Sequence, residues 1–215
     1  MNGCAPNGAF RRAENFRGVC IYARRVIPRA NGPTGWMSNQ SVNNAEAAIR
    51  TAMLDDAHAL ARLGRSTFID TFAHLYEPAD LEEFLTYNHS ADYYEDFLKD
   101  KDAAAWVAET PEGEMIGYCT AAPCSLPAPD MPENSGELCR LYLDAKAQGK
   151  GLGTALLERA LDWIDEHFDH AYVGVFSENE GAQKLYRRYG FEKVAEYHFM
   201  VGNHPDLEWI MKRRS

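Results

Sequence analysis

The sequence predicts an α+β fold: a mixed, mostly antiparallel central β-sheet flanked by helices in a single domain. Three observations carry this. Apolar residues recur at helical spacing between 57 and 99, the period drops to two from about 103 onward, and a glycine-rich turn at 149–153 joins an apolar strand to an amphipathic helix before strands resume.

The 215 residues, 46% of them hydrophobic and 12% aromatic, suffice for one well-buried core and are few for two. Residues 1–36 hold six arginines and one acidic residue, a balance of +5 that leaves −15 of the formal −10 for the remainder. "ANGPTGWMSNQSVNNAE" at 30–46 is rich in turn formers. Residues 1–45 are therefore expected to be a basic extension, disordered or upstream of a true start at Met37, and 46–215 the folded domain.

The elements follow in order. "AAIRTAM" at 47–53 reads as a strand, and Asp55 or Asp56 as the cap of a helix carrying Ala59, Leu60, Leu63, Thr67 and Phe68 at helical spacing. "PADLEEFLTYN" opens a second helix with Pro78, and "SADYYEDFLKD" a third with Ser90 as cap. "AAAWVAE", the turn "TPEGE" and "MIGYCTA" form a hairpin around Gly113. A proline-rich loop at 123–136 leads to the strand "ELCRLYL". Leu156, Leu157, Ala160, Leu161, Ile164 and Phe168 share one face of the helix after the glycines. Then come the strand "AYVGVF", the helix "EGAQKLYRRYG" closed by Gly190, and a last strand pair, "EKVAEYHFMVG" and "LEWIMKR".

An acidic domain argues against nucleic acid or an anionic membrane surface as partner and favours a cationic small molecule. No apolar run approaches the roughly 20 residues of a spanning helix. The five cysteines make no C-x-x-C pair, so no metal ribbon or disulfide frame is expected, and a reducing cytoplasm is the expected setting. His167 and His170 lack a third ligand at metal spacing and read as solvated. His198 reads as packed or as lining a substrate cleft.

Gly149, Gly151 and Gly153 directly before a helix expose backbone N–H groups at the positive end of its dipole, an arrangement that binds a diphosphate. The Walker and dinucleotide patterns both fail on spacing. "CRLYLDAKAQGKGLGTALL" resembles the acetyl-CoA loop of the GNAT N-acetyltransferase superfamily, with Gln148, Gly151 and Gly153 on its pattern. "SENEGAQKLYRRYGF" is similar to the family's second segment, with Asn179, Ala182, Tyr186, Gly190 and Phe191 in register.

The resemblance implies a GNAT-like sheet and acetyl-CoA as co-substrate. It places the pyrophosphate on Gln148, Gly149, Lys150, Gly151, Leu152, Gly153 and Thr154, the pantetheine arm along Leu141, Tyr142 and Leu143, and Asn179 and Ala182 in the cofactor-binding set. Tyr186 matches the family's general acid, and plain packing on its helix face is the other reading. Deprotonating an alkylamine near pKa 10.4 at pH 7 costs roughly 4–5 kcal/mol, so a base is useful. Glu137, opening the strand that leads to the loop, is the candidate, against its reading as a solvated strand end.

The chain is also similar to bacterial spermidine/spermine acetyltransferases over most of 48–214, which implies direct transfer from acetyl-CoA to a polyamine. Acetylation of a peptide N-terminus and a non-catalytic acyl-CoA-binding module are the alternatives. The resemblance also allows a homodimer.

Overall fold

The computed structural model describes residues 47–214, so the expected extension at 1–45 lies almost wholly outside the described residues. Seven strands form one sheet in the order β1-β2-β3-β4-β5-β7-β6. They are β1 (Ala48–Thr51), β2 (Ala104–Glu109), β3 (Met115–Pro123), β4 (Ser135–Leu143), β5 (His170–Phe176), β6 (Phe191–Val201) and β7 (His204–Arg213). All neighbours are antiparallel except β4 and β5. The mixed, mostly antiparallel sheet is thus as expected.

Helices cover both faces. On one lie α1 (Ala57–Phe72), α2 (Pro78–Asn88) and α3 (Ala91–Lys99), and on the other α4 (Leu152–His167) and α5 (Glu180–Arg188). Ser90 caps α3 by accepting from the Tyr93 N–H at 3.1 Å, and Pro78 opens α2, both as the sequence indicates. Asp56 precedes α1 but makes no side-chain cap. Its carboxylate accepts instead from the Met53 N–H and from Arg50, which also donates to Glu109 and so ties β1 to β2.

The α4–α5 face buries an apolar core in which Leu138, Leu141, Val173 and Val175 meet Leu156, Leu157, Ala160 and Ile164. The predicted face of α4 is therefore the buried one; Phe168, just past its end, is half-buried. At about 2 kcal/mol for each fully buried leucine-sized side chain, this core holds the sheet to α4. The α1–α3 face is aromatic, with Phe68, Phe72, Phe84, Tyr94, Tyr118, Tyr142 and Phe199.

A bulge in β4 sets the local geometry. Ala121 pairs with Leu138 and Thr120 with Arg140, so Cys139 is the extra residue. Pairing between β4 and β5 stops at Leu138↔Val173, immediately before it. Residues 139–143 and 174–176 then run on without pairing to each other, which opens a gap between two parallel strands in the middle of the sheet.

Candidate functional site

At the C-terminal end of β4 the chain makes a short 3-10 turn, Ala145–Ala147, capped by Asp144, and then the glycine turn. Gly149 and Gly151 have φ of +79° and +84°, a region costly for residues with a Cβ. A Cβ built on either meets no atom within 4 Å. Packing inside the protein therefore does not forbid a side chain there; the turn needs left-handed backbone and leaves open space over the start of α4. Gly153 and Leu152 are buried, Thr154 is half-buried, and Lys150 is exposed. Gln148 Nε2 reaches the Leu143 carbonyl at 3.4 Å, a contact at the outer edge of hydrogen bonding. This turn satisfies the requirements of a diphosphate cradle at a helix N-terminus.

Leu141, Tyr142 and Leu143 lie along the gap. Their side chains are buried, Leu141 and Leu143 on the α4 side and Tyr142 on the α1 side, so the strand's backbone edge faces β5. A slender arm that pairs with backbone fits such an edge.

Asn179 has a definite local job: its Oδ1 accepts from the Ala182 N–H at 3.1 Å and caps α5. Ala182 and Tyr186 are fully buried in the α4–α5 core, with the Tyr186 ring 5.9 Å from Phe191. Gln183 Nε2 donates to the carbonyls of Ser177 and Phe176, which fixes α5 to the end of β5 beside the gap.

On the opposite face of the sheet Glu137 is fully buried, not a solvated strand end. Its Oε2 accepts from the N–H of Ser125 at 2.9 Å and lies 3.2 Å from the Ser125 hydroxyl, anchoring the proline-rich loop. Leu126 of that loop packs on Tyr172 and Ile210, so the loop covers this end of the sheet.

The sequence reading missed the other acids here. Glu208, opposite Phe176 in the β5–β7 register, is 1% exposed and accepts from the Tyr197 hydroxyl at 2.6 Å. Burial pushes its carboxyl up to about 8, the Tyr197 hydrogen bond opposes this, and the charges of Asp206 and Glu137 add to it. Among the described residues no lysine or arginine pairs with Glu208. Asp206, two residues earlier on the same face, accepts from the Tyr76 hydroxyl, and burial raises its carboxyl also. Burial, with Glu208 beside it, holds the Tyr197 phenol protonated well above its ordinary range.

A second polar knot lies toward α3. The buried Arg140 guanidinium donates to Tyr94 Oη at 2.7 Å and sits 4.3 Å from the centroid of the Tyr93 ring. Tyr94 Oη is 2.5 Å from Tyr118 Oη and 3.1 Å from His89 Nδ1. Burial lowers the His89 pKa well below the ordinary histidine value, so the ring is neutral. No sequence pattern marks these five side chains, which the end of α2, α3, β3 and β4 bring together.

His198 is exposed, so it is not a packed core histidine. His167 is exposed and stacks on Trp163, whereas His170 is half-buried rather than solvated. Among the described residues no group of three or more His, Cys, Asp or Glu is placed to hold a metal, and no helix is long and apolar enough to cross a membrane.

Comparison with known proteins agrees with this geometry. The model of the acetyltransferase (GNAT) family matches residues 69–191. An N-acetyltransferase of Lactobacillus delbrueckii subsp. lactis, from the pepI 3′ region, is 24% identical over 155 residues, covering 70% of this chain and 87% of that protein. A spermine/spermidine N(1)-acetyltransferase of Bacillus subtilis is 30% identical over 92 residues, 41% of this chain and 59% of that protein. Among solved structures, PaiA N-acetyltransferase of Thermoplasma acidophilum in complex with coenzyme A superposes with a TM-score of 0.62 at 19% identity, covering 79% of this chain and 99% of that one.

Proposed function

The chain belongs to the acetyltransferase (GNAT) family and is an acetyl-CoA-dependent N-acetyltransferase, and from that premise we propose that its acceptor is a cationic primary alkylamine, a polyamine such as spermidine or spermine. One observation carries the choice: the buried Glu208 carboxylate, beside Glu137 and Asp206, has no basic partner among the described residues. For want of a basic partner burial holds Glu208 largely as the neutral acid, and an ammonium group of a polyamine is the kind of partner this acidic face lacks. The acidic balance of 37–215 and the partial similarity to the Bacillus subtilis spermine/spermidine enzyme support the same reading.

In this reading acetyl-CoA lies with its pyrophosphate over the backbone from Gln148 to Gly153 and Thr154, and its pantetheine arm along Leu141, Tyr142 and Leu143. Open space at Gly149 and Gly151 and the β4–β5 gap support that placement. Tyr186 serves as the acid that protonates the departing thiolate, reached from the α5 side of the gap. A phenol near pKa 10 donating to a thiol near 8.5 is uphill by about 2 kcal/mol, which positioning offsets. Glu137 holds the proline-rich loop over the acceptor and contributes negative charge. A cytoplasmic setting belongs to the same reading, since Cys119, Cys124 and Cys139 are all thiols.

The test is CoA thiol release from acetyl-CoA by the full chain with spermidine, spermine, diamines and peptides carrying free N-termini, each product identified by mass. Release with the polyamines and not with the peptides is expected. Preference for peptides would move the acceptor to protein N-termini, and acetyl-CoA binding with no release by any amine would leave a binding module.

A further inference from the structure

An amine that arrives as its ammonium must lose a proton before it can attack acetyl-CoA, and the structure holds two fully buried acids on the acceptor face, Glu137 and Glu208. Their surroundings separate their jobs. Glu137 pairs with Tyr172 on β5, before the strands part, and its Oε2 is engaged by both donors of Ser125. Glu208 stands past that point, at the level of Phe176, where β4 and β5 no longer pair. Beneath it is Gly174, in the stretch of β5 that pairs with β7 but no longer with β4. A Cβ there would lie 3.2 Å from Glu208 Oε2, 3.3 Å from the Tyr197 hydroxyl and 3.1 Å from Leu126, tighter than ordinary packing. The bare Gly174 thus leaves the carboxylate and the Tyr197 hydroxyl room against the strand that borders the gap.

Resting on the reading of the acceptor as an alkylamine, we propose that Glu208 is the general base of the transfer, taking the proton that the acceptor ammonium must lose. Tyr197 is its positioning residue: with Oε2 held by the phenol, Oε1 is left for the amine.

The proton balance closes. The ammonium gives one proton to Glu208, and its nitrogen lone pair then forms the C–N bond at the thioester carbonyl. The C–S bond breaks, the nitrogen's second proton reaches the thiolate by way of Tyr186, and Glu208 later releases its proton to solvent. Products are the N-acetylamine, CoA thiol and one proton.

Environment makes the first transfer feasible. From an alkylammonium near 10.4 to an ordinary carboxylate near 4.3 the transfer is unfavourable by roughly a million-fold, and to a carboxyl at about 8 by only ~250-fold. A site without water shifts the balance further toward the neutral acid and free amine, since the ion pair is the costlier species to bury. The groups facing Glu208 are acidic or neutral: Tyr197 from β6, Asp206 on its own strand, Glu137 from β4, Tyr76 beyond α1, and Cys124 in the proline-rich loop beside Glu137 and Tyr197.

The experiment measures kcat/KM against pH for the wild-type full chain, Glu208→Gln and Glu137→Gln, with spermidine and with 2,2,2-trifluoroethylamine, an amine largely unprotonated at neutral pH. Wild type should show activity with spermidine climbing to a limb near pH 8. Glu208→Gln should remove that limb and lower kcat/KM for spermidine by roughly 100- to 10,000-fold, while costing trifluoroethylamine less than about tenfold. Glu137→Gln should keep the limb and shift it to lower pH. Acetyl-CoA affinity, measured by calorimetry, reports folding of each variant, and Glu208→Asp is the second variant should Glu208→Gln not fold. Equal losses for both amines, or a limb abolished by Glu137→Gln and kept by Glu208→Gln, would overturn the assignment. Wild-type turnover of trifluoroethylamine alone would instead overturn the acceptor reading and this assignment with it.

Discussion

The two faces of the sheet are built by opposite rules. Against α4 and α5 the protein buries aliphatic side chains, and in the proposed reading acetyl-CoA is met there by bare backbone at Gly149 and Gly151 and along β4. Against α1–α3 it buries aromatic rings together with Arg140, His89, Glu137, Asp206 and Glu208. On that reading the first face recognises what is the same in every turnover, a diphosphate and a thioester arm, and backbone suffices for that. The second must hold a particular amine and manage its proton, which needs side chains with charge, and charge inside a protein costs stability. The acetyl-CoA side is therefore cheap to fold, and the acceptor side is where folding and function compete.

The largest effect that tests this contrast is the pH dependence of stability. Glu208 has a folded pKa of about 8, above its value of 4.5 in the unfolded chain. The native state then binds more protons than the unfolded state between these values, so the contribution of Glu208 to stability is full below about pH 4.5 and is lost as pH rises toward 8. Glu208→Gln removes the titration: its melting temperature should exceed that of wild type at pH 8.5, by an amount corresponding to several kcal/mol at most, and the gap should close near pH 5. Parallel melting curves for the two proteins from pH 5 to 8.5 would break the contrast.

On the other face the loss should fall on ligand and not on fold. Gly151→Asp places a carboxylate in open space at the N-cap of α4, where φ is +84° and aspartate is better tolerated than most residues. Repulsion with a pyrophosphate should weaken acetyl-CoA binding by roughly 30- to 150-fold, about 2–3 kcal/mol, with a melting temperature within a few degrees of wild type. Calorimetric titration checks this. Unchanged affinity in the folded variant would show that the turn holds something else.

This difference also decides what the sequence reveals. Glycine is itself the signal for backbone at positive φ, so the glycine turn at 149–151 is legible without coordinates, as are Ser90, Pro78 and Gly190 at helix ends. Glu208 is not legible. In β7 the polar row of Asp206 and Glu208 is 6% and 1% exposed while Leu207 is 36% exposed, the reverse of what period-two patterning implies. The sheet is covered on both faces at this strand, and alternation cannot say which row carries buried acids. Arg140 is hidden for a related reason: its tyrosine partners lie 46 and 47 residues away on another element, and nothing local marks them. Glu137 stands out in sequence because it opens the strand leading to the cofactor loop, but the sequence leaves a solvated strand end equally open, and only the fold shows the loop closing over it.

The smallest effect is expected in the tyrosine knot, where it separates packing from propensity. Gly64 lies inside α1, where alanine is worth up to about 1 kcal/mol in helix propensity. Its missing Cβ would stand 2.4 Å from His89 Nδ1, 2.6 Å from Tyr118 Oη and 2.7 Å from Tyr94 Oη. These atoms are buried in one hydrogen-bonded group with Arg140, so none moves aside without breaking a contact of the others. Overpacking should outweigh propensity, leaving Gly64→Ala about 1–2 kcal/mol less stable, a drop of roughly 2–8 °C in melting temperature, with acetyl-CoA affinity unchanged. A higher melting temperature would show that the knot yields, and then the polar groups of this face are held less firmly than the argument for a costly acceptor side requires.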